Sequence, residues 1–215
     1  MPTPHRKLLK NFNKFMKLRF FLTLTALISH LHGTSIIAPT FPELVAEAQV
    51  IARVKVSEIR PAWIEANQGR IIKTFVTFEV IRLLKGTPNS TFTLSFLGGE
   101  IEGEALRVEG MPRFALDQTD IIFLSDMSGA TFRPLVGLMH GRYRVLTDPA
   151  SGQAYVARND GVPLKSEDDV QLPQFSSAPA NRLKSVERAL SPDIFEALIA
   201  AEISSPAPKT LSIPK

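Results

Sequence analysis

The 215 residues, of which 44% are hydrophobic, suffice for one domain of ordinary size with a buried core. The sequence has no cysteine, which excludes disulfides, cysteine-ligated zinc and a cysteine nucleophile. The net charge of +4 comes from the N-terminal segment, and no basic stripe interleaved with aromatic residues follows it, so the charge pattern argues against nucleic acid as a partner.

Residues 1–38 have the order of a secretory signal peptide. They contain six of the 25 basic residues and no acidic one, and the apolar run FFLTLTALI precedes small residues. That run is shorter than the ~20 residues a membrane span needs, so we expect cleavage near 35–38, with an uncleaved anchor as the alternative. Cleavage leaves 19 basic against 21 acidic residues, a net charge of −2. The sequence therefore predicts a periplasmic or secreted protein with no membrane span after cleavage.

A short helix and two strands are predicted next. Thr40, Pro42 and Glu43 form a helix start, which predicts a helix over 42–48. From Val50 onward apolar residues alternate with polar ones, as in a strand with one buried face. We expect Pro61 to end that strand and AWIEANQGR to form a polar connection. A second long strand then leads to the turn cluster KGTPN.

Several shorter strands follow. Phe92, Leu94 and Phe96 share one face of a third strand, and the pair Gly98-Gly99 predicts a bulge or sharp bend after it. Later strands are expected at about 104–109, 120–125, 131–138, 142–147 and 153–158. Seven or eight short strands at this spacing predict an all-β fold, and we expect a small OB-like antiparallel barrel over residues 39–164.

The C-terminal part of the sequence predicts little further sheet. Residues 165–190 are polar and rich in proline, as in a linker, and 205–215 have the composition of a disordered tail. Between them, residues 191–204 predict an amphipathic helix capped by Ser191. This helix either covers the open end of its own barrel or docks in a partner's groove.

The segments AEAQVIARVKVSEIR, TFVTFEVIRLLKG, GGEIEGEALRVEGMPRF, DIIFL and PLVGLMHGRYRV resemble a family of exported bacterial proteins of unknown function. Some members of that family lie beside, or are fused to, matrixin-type metalloprotease domains. The resemblance covers roughly residues 41–164. The matching residues shape backbone and core, and no catalytic role comes with them: Gly98, Gly99, Gly103, Gly110, Pro112, Phe114, Phe123, Leu124, Gly137 and Gly141.

More distantly, the order of strand, strand ending in LLKG, strand and DIIFL is similar to netrin-like modules and the tissue inhibitors of metalloproteinases. Those modules are five-stranded OB-type barrels, so the resemblance implies a netrin-like barrel here. The inhibitors act through an N-terminal cysteine that chelates the protease zinc. Since this chain has no cysteine, that chemistry does not carry over.

A group of charged residues near the middle of the chain is the first candidate site. Glu100, Glu102 and Glu104 alternate along one predicted strand, which would place three carboxylates on one face for a hard cation such as calcium. A solvated face, neutralised by Arg107 and Arg113, is the better-supported interpretation, because no calcium-binding loop accompanies them. We therefore expect no metal, no cofactor and no catalytic residue, and treat the five as part of an interaction surface.

Two further residues complete that candidate interaction surface. His140 is the only histidine beyond the leader and lacks partners for zinc or for a catalytic triad, so we expect a surface or turn histidine. Trp63, in the expected polar connection, is either an exposed aromatic of the kind enriched at interfaces or a side chain packed over the barrel mouth.

Taken together, these features predict an exported, non-catalytic binding module. Its expected partner is a protein, and the resemblance makes an extracellular or periplasmic protease the sharper candidate. The alternative is an envelope enzyme or carbohydrate-binding barrel. That alternative requires two carboxylates to converge in one pocket, drawn from Glu65, Glu100, Glu102, Glu104 or Asp117.

Overall fold

The computed structural model describes residues 37–66, 69–128, 133–174 and 186–205. The predicted signal peptide up to residue 36, the linker residues 175–185 and the predicted tail from 206 lie outside the described residues. In chain order the elements are α1 (Phe41–Glu47), β1 (Val50–Ala66), β2 (Gly69–Lys85), β3 (Thr91–Leu97), β4 (Gly99–Ile101), β5 (Glu104–Leu106), β6 (Thr119–Leu124), a 3-10 helix (Leu138–Gly141), β7 (Arg142–Thr147), β8 (Ala154–Arg158), a second 3-10 helix (Glu167–Gln171) and α2 (Pro192–Ser204).

The first helix forms where the sequence predicts it, and for the predicted reason. The Thr40 hydroxyl accepts a hydrogen bond from the Glu43 backbone N–H at 3.3 Å, and Glu43 Oε2 accepts one from the Thr40 backbone N–H at 2.8 Å. This reciprocal capping box satisfies two backbone donors that a helix start would otherwise leave without partners.

Six strands form one antiparallel sheet in the order β3-β2-β1-β6-β7-β8, and β4 and β5 form a separate hairpin. The mostly β architecture with an antiparallel sheet agrees with the prediction, but the sheet is not closed, so the predicted OB-like barrel is not confirmed. Closure would need the outer edge of β3 to pair with another strand. Instead the chain leaves β3 through Gly98, and the following hairpin β4–β5 pairs only with itself.

The β1–β2 hairpin is longer than predicted. β1 does not end at Pro61 but continues to Ala66, and the expected polar connection is strand, with Ile64 opposite Ile71. Beyond Val56, β1 has a hydrogen-bonded neighbour on one side only, because β6 pairs with it over Val50–Lys55 and the last backbone bonds on that side join Val56 to Asp117 and Gln118. A proline is tolerated at such an open edge, since its missing N–H takes no bond from the sheet.

Alternation along β1 and β6 gives the sheet two buried faces. Ile51, Ile121 and Phe123 belong to one face, and α1 and α2 pack against it. Val54, Phe78 and Ile122 belong to the opposite face, here called the cavity face. The period-two pattern predicted for β1 is confirmed from Ala52 to Ser57, where the apolar residues are buried and the polar residues between them are partly exposed.

The C-terminal helix α2 packs on its own sheet. The ring of Phe195 is fully buried, with its centroid 5.0 Å from that of Tyr143, 6.0 Å from that of Phe41 and 6.3 Å from that of Phe123. Glu196 fixes the same helix to two strands, with Oε2 2.9 Å from Arg82 Nη1 and Oε1 3.2 Å from Arg53 Nε. The helix thus covers a sheet face, not the end of a barrel.

Two predicted segments have a different structure. Residues 134–138 contribute only an isolated bridge, Leu124 with Leu135, where a full strand is predicted. The predicted linker begins with ordered chain, since Val170 of the second 3-10 helix is fully buried and Ser166 forms a capping box with Asp169. Burial of one apolar side chain anchors this polar stretch against the core.

Candidate functional site

A cavity of about 330 Å³ lies on the cavity face, between the sheet and the segment 98–114 that crosses it. We call it the apolar cavity, because its walls are mainly aliphatic and aromatic. The sheet contributes Ile59, Val76 and Phe96, and the crossing segment contributes Leu106, Met111 and Phe114. A concave apolar site of this size holds one or two side chains or a small ligand.

Glycines place the crossing segment close to the sheet. Gly98 donates its N–H to the Ile72 carbonyl at 2.8 Å, and its carbonyl accepts from Thr74 Oγ1 at 2.7 Å. Gly99 has φ of +143°, and a Cβ there would overlap Thr74 Oγ1. Only glycine allows this backbone path and this approach, so the predicted bend at Gly98-Gly99 is confirmed.

Phe114 lines the apolar cavity. Its ring centroid lies 4.9 Å from that of Phe96 and 5.2 Å from that of Phe78. The Arg142 guanidinium carbon lies 4.2 Å from the same ring centroid, at cation-π distance. Phe114 is therefore held between the sheet's aromatic residues and a buried arginine.

A second cavity, of about 730 Å³, adjoins the first. We call it the arginine cavity, because Arg107, Arg113, Arg142 and Arg144 are among the residues that line it. The two cavities share lining residues from the segment 107–114, Phe114 included. An apolar space and a cationic space thus meet along one stretch of chain.

One residue that lines the arginine cavity, Arg142, belongs to a buried ion pair. Asp120 Oδ2 lies 3.2 Å from Arg142 Nε, and the two side chains are 0% and 2% exposed. Arg142 Nη1 also donates to the Arg113 carbonyl at 2.6 Å and to Asn159 Oδ1 at 3.0 Å. Burial raises the pKa of the Asp120 carboxyl, and the Arg142 charge opposes that rise. The pair connects β6 and β7 to the segment that crosses the sheet.

The three glutamates do not share a face, contrary to the prediction. They lie on a hairpin: Glu100 is opposite Ala105 on β4 and β5, Glu104 is opposite Ile101, and Glu102 occupies the turn with φ of +52°. Neighbouring positions in a strand point to opposite sides, so Glu100 borders the apolar cavity while Glu104 lies 4.0 Å from Arg70 Nη2. Within the described ranges no group of three or more histidines or acids is arranged to hold a metal ion.

His140 lies in a short turn before β7, as one form of the prediction has it, but it is not at the surface, so the other form is wrong. It lies on the first 3-10 helix, is 2% exposed, and its Nδ1 is 3.2 Å from Gln174 Nε2. Burial lowers the pKa of His140, and the nearby Arg158 lowers it further. The ring fills a place in the core and is unavailable to a partner.

Trp63 is half-buried on the β1 arm, with the Arg70 guanidinium carbon 4.3 Å from its ring centroid. It lines neither cavity. Of the predicted interaction surface, the structure brings Glu100, Arg107 and Arg113 together at the apolar cavity and leaves the other four residues elsewhere.

The carboxylates considered for an enzyme are dispersed. Glu100 is the one among the five that borders the apolar cavity. Asp117 Oδ1 lies 2.7 Å from Lys55 Nζ, and Glu104 is paired with Arg70. These five residues therefore do not supply the two converging carboxyl groups that glycoside hydrolysis requires.

Sequence reasoning missed Asp120, Arg142 and Arg144. A signal was present, because each is a charged residue that alternates with, or directly precedes, large apolar residues in DIIFL and RYRV. Charged residues are seldom fully buried unless they are paired. A charged residue at a strand position that the alternation assigns to the core therefore indicates that an oppositely charged residue is buried next to it.

The chain matches no family model and none of the curated proteins with which it was compared. Within the described ranges, no helix combines the length and apolar character that crossing a bilayer requires.

Proposed function

We propose that this chain is an exported, non-catalytic binding module for a protein partner, and that the apolar cavity is where it binds. The observation that carries the proposal is the cavity itself, which opens between the sheet and the segment 98–114 and is lined by Val76, Phe96 and Met111. Its apolar walls suit an aliphatic or aromatic side chain of a partner, which is how interface anchors gain most of their energy.

The surroundings of the cavity support a protein partner over a free small ligand. The exposed side chains of Arg107 and Arg113 lie at the rim, and Glu100 lies there as well. An apolar centre with a charged rim is the usual anatomy of a protein–protein site. Export rests on the predicted leader. A protease as partner rests on the sequence resemblance alone.

Filling the cavity tests the proposal. Ala105 is exposed, borders the apolar cavity and lies on the short strand β5, so Ala105→Phe places a ring at the cavity without removing a core contact. Ala154→Phe makes the same change at an exposed strand residue that lines neither cavity, and serves as the matched control.

The experiment immobilises the chain from Ile37 onward and recovers proteins from the host's envelope and culture fluid for identification by mass spectrometry. We expect a partner that the parent chain and Ala154→Phe retain and that Ala105→Phe loses at least tenfold. Retention by all three chains would exclude the apolar cavity as the binding site. Recovery of no protein above a blank resin would reject the binding-module proposal.

A further inference from the structure

The arginine cavity has an excess of positive charge. Arg107, Arg113, Arg142 and Arg144 line it, together with Glu109 and Asp160. Asp160 Oδ2 is 3.0 Å from Arg158 Nη2, and Asp120 is paired with Arg142. Counting these residues gives five arginines against three acids, so among the described residues at this cavity positive charges exceed negative ones by two.

Buried donors in this cavity have no hydrogen-bond partner among the described residues. Arg142 is 2% exposed and uses Nη1 for two hydrogen bonds, while its Nη2 has none. Arg144 Nε is likewise buried and without a hydrogen-bond partner. The two arginines are two positions apart on β7, so their side chains leave the strand on the same face. Asp120, opposite Arg144 on β6, likewise has buried oxygens without a hydrogen bond, so its ion pair with Arg142 does not satisfy these donors. An unsatisfied buried donor is costly, and each one calls for an explanation such as an acceptor supplied from outside.

A carboxylate matches these donors. A guanidinium presents paired N–H groups that fit the two oxygens of a carboxylate, and the charge on both partners strengthens each hydrogen bond. Because the arginine cavity shares Phe114 and Met111 with the apolar cavity, a carboxylate held by Arg142 and Arg144 would lie next to an apolar space.

We propose that the partner enters as a peptide segment in which an apolar side chain stands beside a carboxylate, with the side chain in the apolar cavity and the carboxylate in the arginine cavity. This inference deepens the proposed function and rests on it. A C-terminal carboxylate and an internal Asp or Glu side chain share the same chemistry, and the test separates them.

Three acetylated tripeptides are the probes: Ala-Ala-Phe with a free C-terminal carboxylate, the same peptide as the amide, and Ala-Asp-Phe as the amide. Each is titrated into isotopically labelled chain from Ile37 onward, and backbone amide shifts in the segment 98–114 report binding by NMR. We expect at least one carboxylate peptide to bind about tenfold more tightly than the uncharged amide. Tighter binding of the peptide with the free C-terminus would indicate a terminal carboxylate, and tighter binding of the Asp peptide would indicate an internal one.

The variants separate charge recognition from folding. In Arg144→Gln the preference for the carboxylate peptide should fall below about threefold, and Ala105→Phe should remove binding of all three peptides. The Arg113 side chain is exposed at the same cavity. Arg113→Gln therefore also lowers the positive charge of the cavity, and it leaves the buried groups intact. Arg188→Gln, exposed and outside both cavities, should retain the tenfold preference.

Several results would overturn the inference. Equal affinity for all three peptides, or no binding of any of them, rejects carboxylate recognition. Displacement of the peptide by inorganic phosphate at equal concentration would identify a site for a free anion, with no contribution from the apolar side chain. Loss of a captured protein partner in Ala105→Phe but not in Arg144→Gln would leave the proposed function standing and reject this inference alone.

Discussion

Arg142 and Asp120 form a buried ion pair between β7 and β6, and Arg142 also contacts the segment that crosses the sheet. Their charged atoms are 3.2 Å apart, both side chains are almost completely buried, and Arg142 also donates to the Arg113 carbonyl. Both side chains are almost completely shielded from solvent, so the two charges depend on each other. Removing either one would leave the other uncompensated in the core.

Replacing Asp120 by Asn should therefore destabilise the protein strongly. We expect a loss of about 3–5 kcal/mol, the usual cost of breaking a buried ion pair on one side. The matched control is Asp117→Asn, since Asp117 pairs with Lys55 at the surface and should cost about 1 kcal/mol or less. Urea unfolding measures both. Equal losses for the two variants would contradict the account of the buried pair.

Stability should fall in mild acid because of His140. Its pKa is lowered in the folded protein, so between that value and the unfolded value of 6.5 the unfolded chain binds more protons. The contribution of neutral His140 is therefore complete above about pH 6.5 and is lost as pH falls towards the folded pKa. This term amounts to at most about 1.4 kcal/mol per pH unit.

The measurement compares urea unfolding at pH 7.5 and pH 5.5 for the parent chain and His140→Asn. The asparagine lacks the titrating ring, so the variant should lose less free energy of unfolding over this range than the parent does. Burial raises the pKa of Asp120 and of Glu196, but both are retained in the variant and cancel in the difference. Identical pH dependence in the two chains would show that His140 does not titrate in this range.

The docking of α2 should depend on a single ring. Phe195→Ala removes a fully buried side chain that contacts three other aromatic rings, and should cost about 3–5 kcal/mol. The neighbouring Ile194 is 53% exposed, so Ile194→Ala should cost well under 1 kcal/mol. Thermal unfolding gives the difference, and hydrogen exchange shows whether α1 loses protection with α2. A small effect of Phe195→Ala would mean that the helix is only loosely attached.

The bend into the crossing segment should tolerate no side chain. In Gly98→Ala the new Cβ would lie 2.7 Å from the Leu106 carbonyl oxygen at a φ of +104°, whereas in Gly103→Ala it would meet nothing within 4 Å at +86°. We expect about 1 kcal/mol for Gly103→Ala from backbone conformation alone. Gly98→Ala should cost at least about 1 kcal/mol more because of overlap. Similar unfolding free energies for both variants would contradict the close approach of this segment.

Local sequence patterns correctly predicted the elements that depend on interactions between residues close in sequence. The capping box at Thr40, the alternation of Val50 to Val56 and the bend at Gly98-Gly99 depend on neighbours within a few residues, and all three are confirmed. The end of β1 does not depend on residues close in sequence. Pro61 would break the strand only if both edges of β1 were paired at that point. Whether β6 reaches that far is a property of the sheet, which no local pattern reveals.

The candidate site was predictable in part. Arg107 and Arg113 were identified as surface charges and border both cavities, but the three glutamates were assigned to a strand when they belong to a hairpin. A two-residue turn, Glu102 and Gly103, both at positive φ, reverses the chain and separates Glu100 from Glu104. The buried charges at 120 and 142 required knowledge of strand pairing, since β6 and β7 bring them together from distant parts of the sequence.

The most direct test of the account is a hydrogen-exchange footprint of the captured protein partner on this chain. Binding at the apolar cavity predicts slower amide exchange in the segment 98–114 and in the facing part of β2 around Val76, with β8 unchanged. Ala105→Phe should remove that protection, and Ala154→Phe should preserve it. Protection confined to other surfaces, such as the β1–β2 tip or α2, would contradict the assignment of the apolar cavity as the binding site.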